Sequence, residues 1–372
     1  MRRVDKAVFI AALLFSFVSC QKEEPETAPP TRVVLMYMGT DNNLSWETYE
    51  QIKALREGWD VLHSGILYIY ADPADERPFL LKIEQEEGRT VQKVAREYKE
   101  SNSADKEVLA SVIDDVKALH AQGTVELYGL LVFSHASGWL PAQTLKNTEA
   151  RSVIIDNENE MELPDFAAAL PDHLFEFIIF DACFTAGVEL VYELRNKANF
   201  IVGSSAEILT PGYTPYYPEV LNYLFQPRVD LVSFIQTIFG GIDAQSGDDR
   251  SATFSIIKTS ELEPLREFVH THCDFTKPVD FSAMQDFGRE KSSSLFFDAE
   301  TYYASLLNGE EDVVTLSELI GNCVIYKEAT DLFLPDSKGF VIEKHSGLTT
   351  YIMQNRFSRL NNAYAELLWW KK

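Results

Sequence analysis

Two runs in this 372-residue chain carry a continuous apolar stretch into a side chain able to do covalent chemistry. The first is Leu130-Leu131-Val132-Phe133, followed by Ser134-His135-Ala136-Ser137-Gly138-Trp139. The second is Phe177-Ile178-Ile179-Phe180, followed by Asp181-Ala182-Cys183-Phe184. Apolar runs of this kind predict strands buried on both faces, and open parallel sheets bind their ligands just outside the carboxyl ends of the strands. His135 and Cys183 therefore belong on one rim. A thiol becomes a strong nucleophile when a nearby imidazole takes its proton, and an imidazole titrates near neutrality, so it can hand that proton to a leaving amine. Taken singly, a histidine here reads as a satisfied core residue and a cysteine as an inert buried thiol. Together, each at a strand end, they read as a dyad for amide hydrolysis.

The elements that must position them follow from the hydrophobic periodicity. From residue 32 onward, short β-branched runs alternate with amphipathic stretches, the mark of an α/β sandwich with a mostly parallel central sheet. Strands are predicted at Val33 to Met38, Ile66 to Tyr70, Phe79 to Ile83, Leu127 to Phe133, Phe175 to Phe180, Phe200 to Gly203 and Thr253 to Ile257, and another near Val153. Helices are predicted at Leu44 to Trp59, Lys106 to Gln122 and about Gly187 to Lys197. Past residue 276 the pattern weakens to helices near 299–308 and 315–329, a late strand at Leu348 to Met353 and a closing helix at Phe357 to Trp370. These boundaries divide the chain into a leader (1–20), an extended tether (21–31), a main domain (32–275) and a smaller C-terminal subdomain (276–372) able to return a strand to the main sheet. No repeat of 20 to 50 residues is visible.

The histidine lies 48 residues before the cysteine, and Asp181-Ala182-Cys183 stands where caspases carry Gln-Ala-Cys. With the Val188-Glu189-Leu190-Val191-Tyr192-Glu193-Leu194-Arg195 segment, the Phe200-Ile201-Val202-Gly203-Ser204-Ser205 run and the late Ser346-Gly347-Leu348-Thr349-Thr350-Tyr351, the chain resembles the clostripain family of clan CD cysteine peptidases. The resemblance covers roughly residues 32 to 270. It implies a caspase-like fold and an endopeptidase using Cys183 and His135. It also implies an oxyanion site made by the backbone N–H groups of Cys183 and Ala136, and an S1 pocket for Arg or Lys floored by Asp181. Most family members carry glycine where Ala136 stands, so a loop needing positive φ would strain it. Family members selective for basic residues often supply a second acid after the following strand; here Ile208-Leu209-Thr210-Pro211-Gly212-Tyr213 has none beyond Glu207. A second expectation is thus a weak or inactive surface relative that binds peptides or proteins without cutting them.

The N-terminus carries Arg2, Arg3 and Lys6 before an apolar run from Ala7 to Val18, too short to span a bilayer and typical of a secretory signal. Phe17-Val18-Ser19-Cys20 resembles a bacterial lipobox, which makes Cys20 an acylated N-terminus. The following Gln21-Lys22-Glu23-Glu24 resembles an export signal of surface lipoproteins in Bacteroidetes-type bacteria. The expectation is a protein lipid-anchored to the outer membrane and facing outward, with two or more acyl chains for stable attachment. Cys183, Cys273 and Cys323 remain, an odd number that cannot all pair. Acidic residues number 57 against 33 basic, for a formal charge of −24; this disfavours nucleic acid, whose phosphates need a basic footprint. His270 and His272 near Cys273 lack further ligands at metal spacing. No metal or cofactor is expected, and a calcium requirement is not indicated.

Between the histidine run and Val153 lies a polar stretch, Pro141 to Arg151, with two basic residues, Lys146 and Arg151. Loops of this kind are preferred sites of nicking. Clostripain-like enzymes resemble one another in cutting themselves between histidine and cysteine, so a pocket for basic residues predicts self-cleavage after Lys146 or Arg151.

Overall fold

The computed structural model describes residues 31–59, 65–74, 76–99, 101–120, 125–144, 152–157, 159–289 and 294–371. In β1 (Thr31–Thr40) the buried side chains divide by twos: Val33, Leu35 and Tyr37 join one apolar cluster, and Val34, Met36 and Met38 a second. That is the period of a strand covered on both faces. α1 (Thr48–Trp59) lays Ile52, Leu55 and Trp59 on the second cluster. The chain continues through β2 (Ile66–Pro73), β3 (Phe79–Glu86), β4 (Arg89–Glu97), α2 (Lys106–Ala118) and β5 (Val125–Phe133), then a short hairpin of β6 (Ile154–Asp156) and β7 (Asn159–Met161). After α3 (Leu163–Ala169) come β8 (Phe175–Asp181), α4 (Val188–Glu193) and β9 (Ala198–Gly203). α5 (Tyr217–Leu224), α6 (Leu231–Asp243), β10 (Thr253–Lys258) and α7 (Leu262–His272) follow. The C-terminal part holds β11 (Phe297–Asp298), α8 (Ala299–Leu306), α9 (Glu310–Cys323), β12 (Val324–Ala329), the pair β13 (Leu332–Phe333) and β14 (Phe340–Val341), β15 (Thr349–Thr350) and α10 (Ser358–Glu366).

Nine strands form one sheet in the order β12, β10, β9, β8, β5, β1, β2, β3, β4. The central five are parallel, and the two strands at each edge are added antiparallel. The chain first builds outward from β1 through β2, then returns to the other side of β1 with β5. A topological switch point therefore lies between β1 and β5, where open sheets form their crevices. α1, α5 and α6 cover one face, while α2, α3, α4 and the C-terminal helices cover the other. The C-terminal segment is packed into this first cluster: Tyr303, Tyr351, Tyr364 and Trp369 are buried there together with Leu109 of α2.

Some elements differ from the sequence expectation. The helix near 315–329 ends at Cys323, and Val324-Ile325-Tyr326 turn into β12, because β-branched and aromatic residues fit a pleated surface better than a helix. It is β12, paired with β10, that returns to the main sheet. The late strand shrinks to β15, which pairs with β11 instead. β4 was not anticipated: it is a charged, largely exposed edge strand without clean alternation, a common way of blunting a sheet edge.

Candidate active site

β5 and β8 pair in parallel with Phe133 beside Asp181. His135 and Cys183 each stand two residues farther along, so the two side chains leave neighbouring strands at the same height. The loops that carry them touch. Gly138 has φ +65°, and a Cβ there would lie 2.4 Å from the carbonyl oxygen of Phe184; Phe184 itself takes φ 57°, the left-handed conformation. Only a glycine lets the histidine loop approach the cysteine turn this closely. Each loop is tied from outside as well. Ile155 N–H donates to Ser134 Oγ at 3.0 Å and Ser137 N–H to Ser152 O at 2.6 Å. Beyond Cys183, Phe184 N–H donates to Ala206 O, and Ala186 N–H to Ser204 O, both at 2.9 Å.

A small cavity of about 40 Å³ is lined by His135, Asp181, Ala182 and Cys183, with Leu44 and Glu47 on one side and Ile208 to Thr210 and Gly212 on the other. His135 is half-buried, and its Nε2 meets Asn43 Oδ1 at 2.7 Å. An amide oxygen only accepts, so Nε2 donates and the lone pair of the neutral ring lies on Nδ1. The Cys183 sulfur, also half-buried, accepts the Ile208 N–H at 3.3 Å. Burial pushes this thiol up to about 12, with the Glu207 charge adding to it and the Ile208 N–H opposing it. Asp181 is buried and accepts Tyr213 N–H at 3.1 Å through Oδ2, while Oδ1 has no partner among the described residues. Burial raises it to about 8. Glu207 itself is paired with Arg289 at 2.7 Å.

The model of the Clostripain family matches residues 36–351. The chain belongs to the clostripain family. It is accordingly a cysteine peptidase, a hydrolase, with the mostly parallel α/β architecture of solved members of the clostripain family. It is similar to an inactive zymogen C11 protease from Parabacteroides distasonis, with 29% identity over 92% of this chain and 98% of that one and a TM-score of 0.81. It is also similar to a secreted C11 cysteine protease from Bacteroides thetaiotaomicron, solved in complex with an irreversible peptide inhibitor: 26% identity over 92% and 98% of the two chains, TM-score 0.79. No curated protein matches the sequence.

Within this clostripain-family chain, His135, Asp181 and Cys183 line one cavity, and Ala136 follows directly behind. Ala136 does not take a positive φ; the left-handed position falls on Gly138, so the strain expected at Ala136 is absent. Among the described residues, neither the Ala136 nor the Cys183 N–H makes a backbone hydrogen bond. Cys20, Lys146 and Arg151 lie outside the described residues. Cys273 and Cys323 are free, and each is pushed up to about 12 by burial, as Cys183 is. Place, not acidity, distinguishes Cys183. His270 bonds Trp369 O at 2.8 Å and His272 stacks on Phe268, which gives both a packing role. Sequence reading missed Asn43 and Glu47. They follow β1 at its carboxyl end, beside the switch point, and that position was the available signal.

Proposed function

We propose that the chain is an endopeptidase that cuts peptides or proteins after Arg or Lys through Cys183 and His135. The observation that carries this reading is the register that sets the two side chains at equal height on adjacent parallel strands. The Cys183 proton passes to His135 Nδ1 as the sulfur bonds to the scissile carbonyl carbon. The oxyanion so formed is stabilised by the N–H groups of Cys183 and Ala136, a reading supported by their lack of a backbone acceptor among the described residues. His135 then gives the proton to the leaving amine and the C–N bond breaks; water attacks the thioester with the same imidazole as base, the C–S bond breaks to release the acid, and the imidazolium returns the proton to the Cys183 sulfur. Asp181 is the acid that faces a basic P1 side chain.

The form described is closed. A cavity of about 40 Å³ has room for roughly three water molecules, too little for an arginine side chain, and burial keeps the thiol protonated at neutral pH. These features also suit a relative that binds without cutting, the second reading. Opening by self-cleavage after Lys146 or Arg151 reconciles them with activity. The deciding experiment compares wild type with Cys183→Ala and His135→Ala on fluorogenic peptides scanned at P1, with mass spectrometry of each purified chain. Expected are loss of turnover by several powers of ten in both variants and a cut at either basic residue in wild type only. Turnover surviving in Cys183→Ala removes it as the nucleophile; an intact loop in active wild type removes the activation step.

The same reading places the enzyme on the outer membrane, anchored through acylated Cys20 after removal of the signal peptide and facing outward. Cys20→Ala is expected to shift the protein from the membrane to the soluble fraction of cells, and retention at the membrane would sink the anchor.

A further inference from the structure

We propose that Glu47 is the second acid of the pocket beside Cys183, supplied from the segment after β1, and that with Asp181 it selects a guanidinium or ammonium side chain. This rests on the reading of the chain as a peptidase whose substrate side chain enters that cavity. Glu47 is 2% exposed, ends a short 3-10 turn (Ser45–Glu47) leading into α1, and lines the cavity with Asp181. Among the described residues, neither of its carboxylate oxygens has a partner within hydrogen-bond geometry, and Asp181 Oδ1 has none either. Three buried acceptor oxygens thus belong to the cavity's acids with only the Thr210 hydroxyl acting on Glu47, an arrangement that native interiors ordinarily avoid. Among the described residues that line the cavity there is no lysine or arginine.

Two uncompensated carboxylates cannot both stay charged in so dry a place. Burial raises Glu47, and the neighbouring Thr210 hydroxyl only partly opposes it. Burial raises Asp181 as well, and the Glu47 charge adds to the effect. The other titratable groups near the pair are the phenols of Tyr213 and Tyr217, the Cys183 thiol, and His135 on the cavity wall. The phenols and the thiol are neutral at physiological pH, and Glu207 is matched by Arg289. The empty pocket is therefore kept by bound protons, and a cation that enters must displace them. Binding of a basic side chain should tighten as pH rises from 6 to 8, whereas an uncharged side chain gains nothing. The segment Ile208 to Gly212 also borders a larger cavity of about 360 Å³.

The test has two arms. In the first, wild type and Glu47→Gln are compared on paired peptides with arginine or citrulline at P1. Expected is a loss on the order of a hundredfold in kcat/KM for arginine, with citrulline held within a few fold. An unchanged arginine preference overturns the proposal while leaving the peptidase reading intact. If wild type cleaves neither peptide, the peptidase reading fails, and the second arm still decides the site. There, agmatine, which offers no peptide bond to cut, is titrated calorimetrically into the full wild-type chain, with and without Glu47→Gln, in two buffers of different ionisation enthalpy at pH 7. Proton release on binding that is lost with Glu47→Gln supports the proposal; equal affinity in both chains, or no binding to either, overturns it. Glu47→Asp serves as the second variant, because it keeps the charge and should retain an intermediate arginine preference. Melting curves of each chain separate misfolding from loss of the site.

Discussion

Asn43 holds the Nε2 side of His135 at 2.7 Å, which turns the Nδ1 side of the ring to the other direction. Without it the ring can take either tautomer and turn away from Cys183. Asn43→Ala is expected to lower kcat about ten- to a hundredfold with little change in KM, and to move the acid limb of the pH–rate profile. Because Asn43 is exposed, the melting temperature should barely change; an unaltered kcat would show that the loop alone fixes the ring. Cys183 and His135 were legible in the sequence because each ends an apolar run, a local pattern. Asn43 and Glu47 were not, because their meaning comes from a neighbour some ninety residues away or more in the chain, across β1 and β5. The concern over Ala136 came from a single position read without its loop. Gly138, two residues on, takes the left-handed conformation instead.

At the scale of elements, the site depends on two loops held in contact by a missing side chain. Gly138→Ala would put a methyl group 2.4 Å from the Phe184 carbonyl oxygen in a conformation that alanine rarely adopts. Backbone is hard to displace, so the loops must part. The expected cost is roughly 2–4 kcal/mol in stability, together with a fall in kcat/KM larger than that of a surface glycine such as Gly88→Ala, where an added Cβ meets nothing within 4 Å. Urea denaturation and peptide turnover of both variants check this, and equal behaviour would mean the contact positions nothing. The buried central strands were legible because continuous apolar runs have few alternatives. The edges were not. β4 is mostly charged, and β12 begins directly where the α9 periodicity stops, so only pairing with β3 and β10 identifies them as strands.

The whole molecule carries acids that its interior holds protonated. Asp181 and Asp72 are each raised to about 8 and Glu189 to about 7. In all three burial is the largest cause; for Asp72 the charge of neighbouring Asp156 is next. Glu189 is the one well supplied with donors, accepting Tyr351 N–H at 2.8 Å and the Thr350 hydroxyl at 3.0 Å, a tie between α4 and the C-terminal β15. A carboxyl whose folded pKa lies above its unfolded value stabilises the fold fully below the unfolded value, and that contribution is lost as pH rises through the folded one. Between about pH 4 and pH 8 the folded chain therefore binds more protons than the unfolded chain, and stability must fall as pH rises. The formal charge of −24 acts in the same direction through self-repulsion. The protein is expected to be more stable at pH 5 than at pH 8, with the loss growing progressively across that range. Asp181→Asn should remove part of that loss, because a neutral amide has no proton to give up. Urea midpoints of wild type and Asp181→Asn at pH 5 and pH 8 measure it: a smaller drop in the variant is expected. Equal drops in the two chains would mean that Asp181 is ionised in the folded protein and already compensated, and the pocket would then need no incoming cation to balance it.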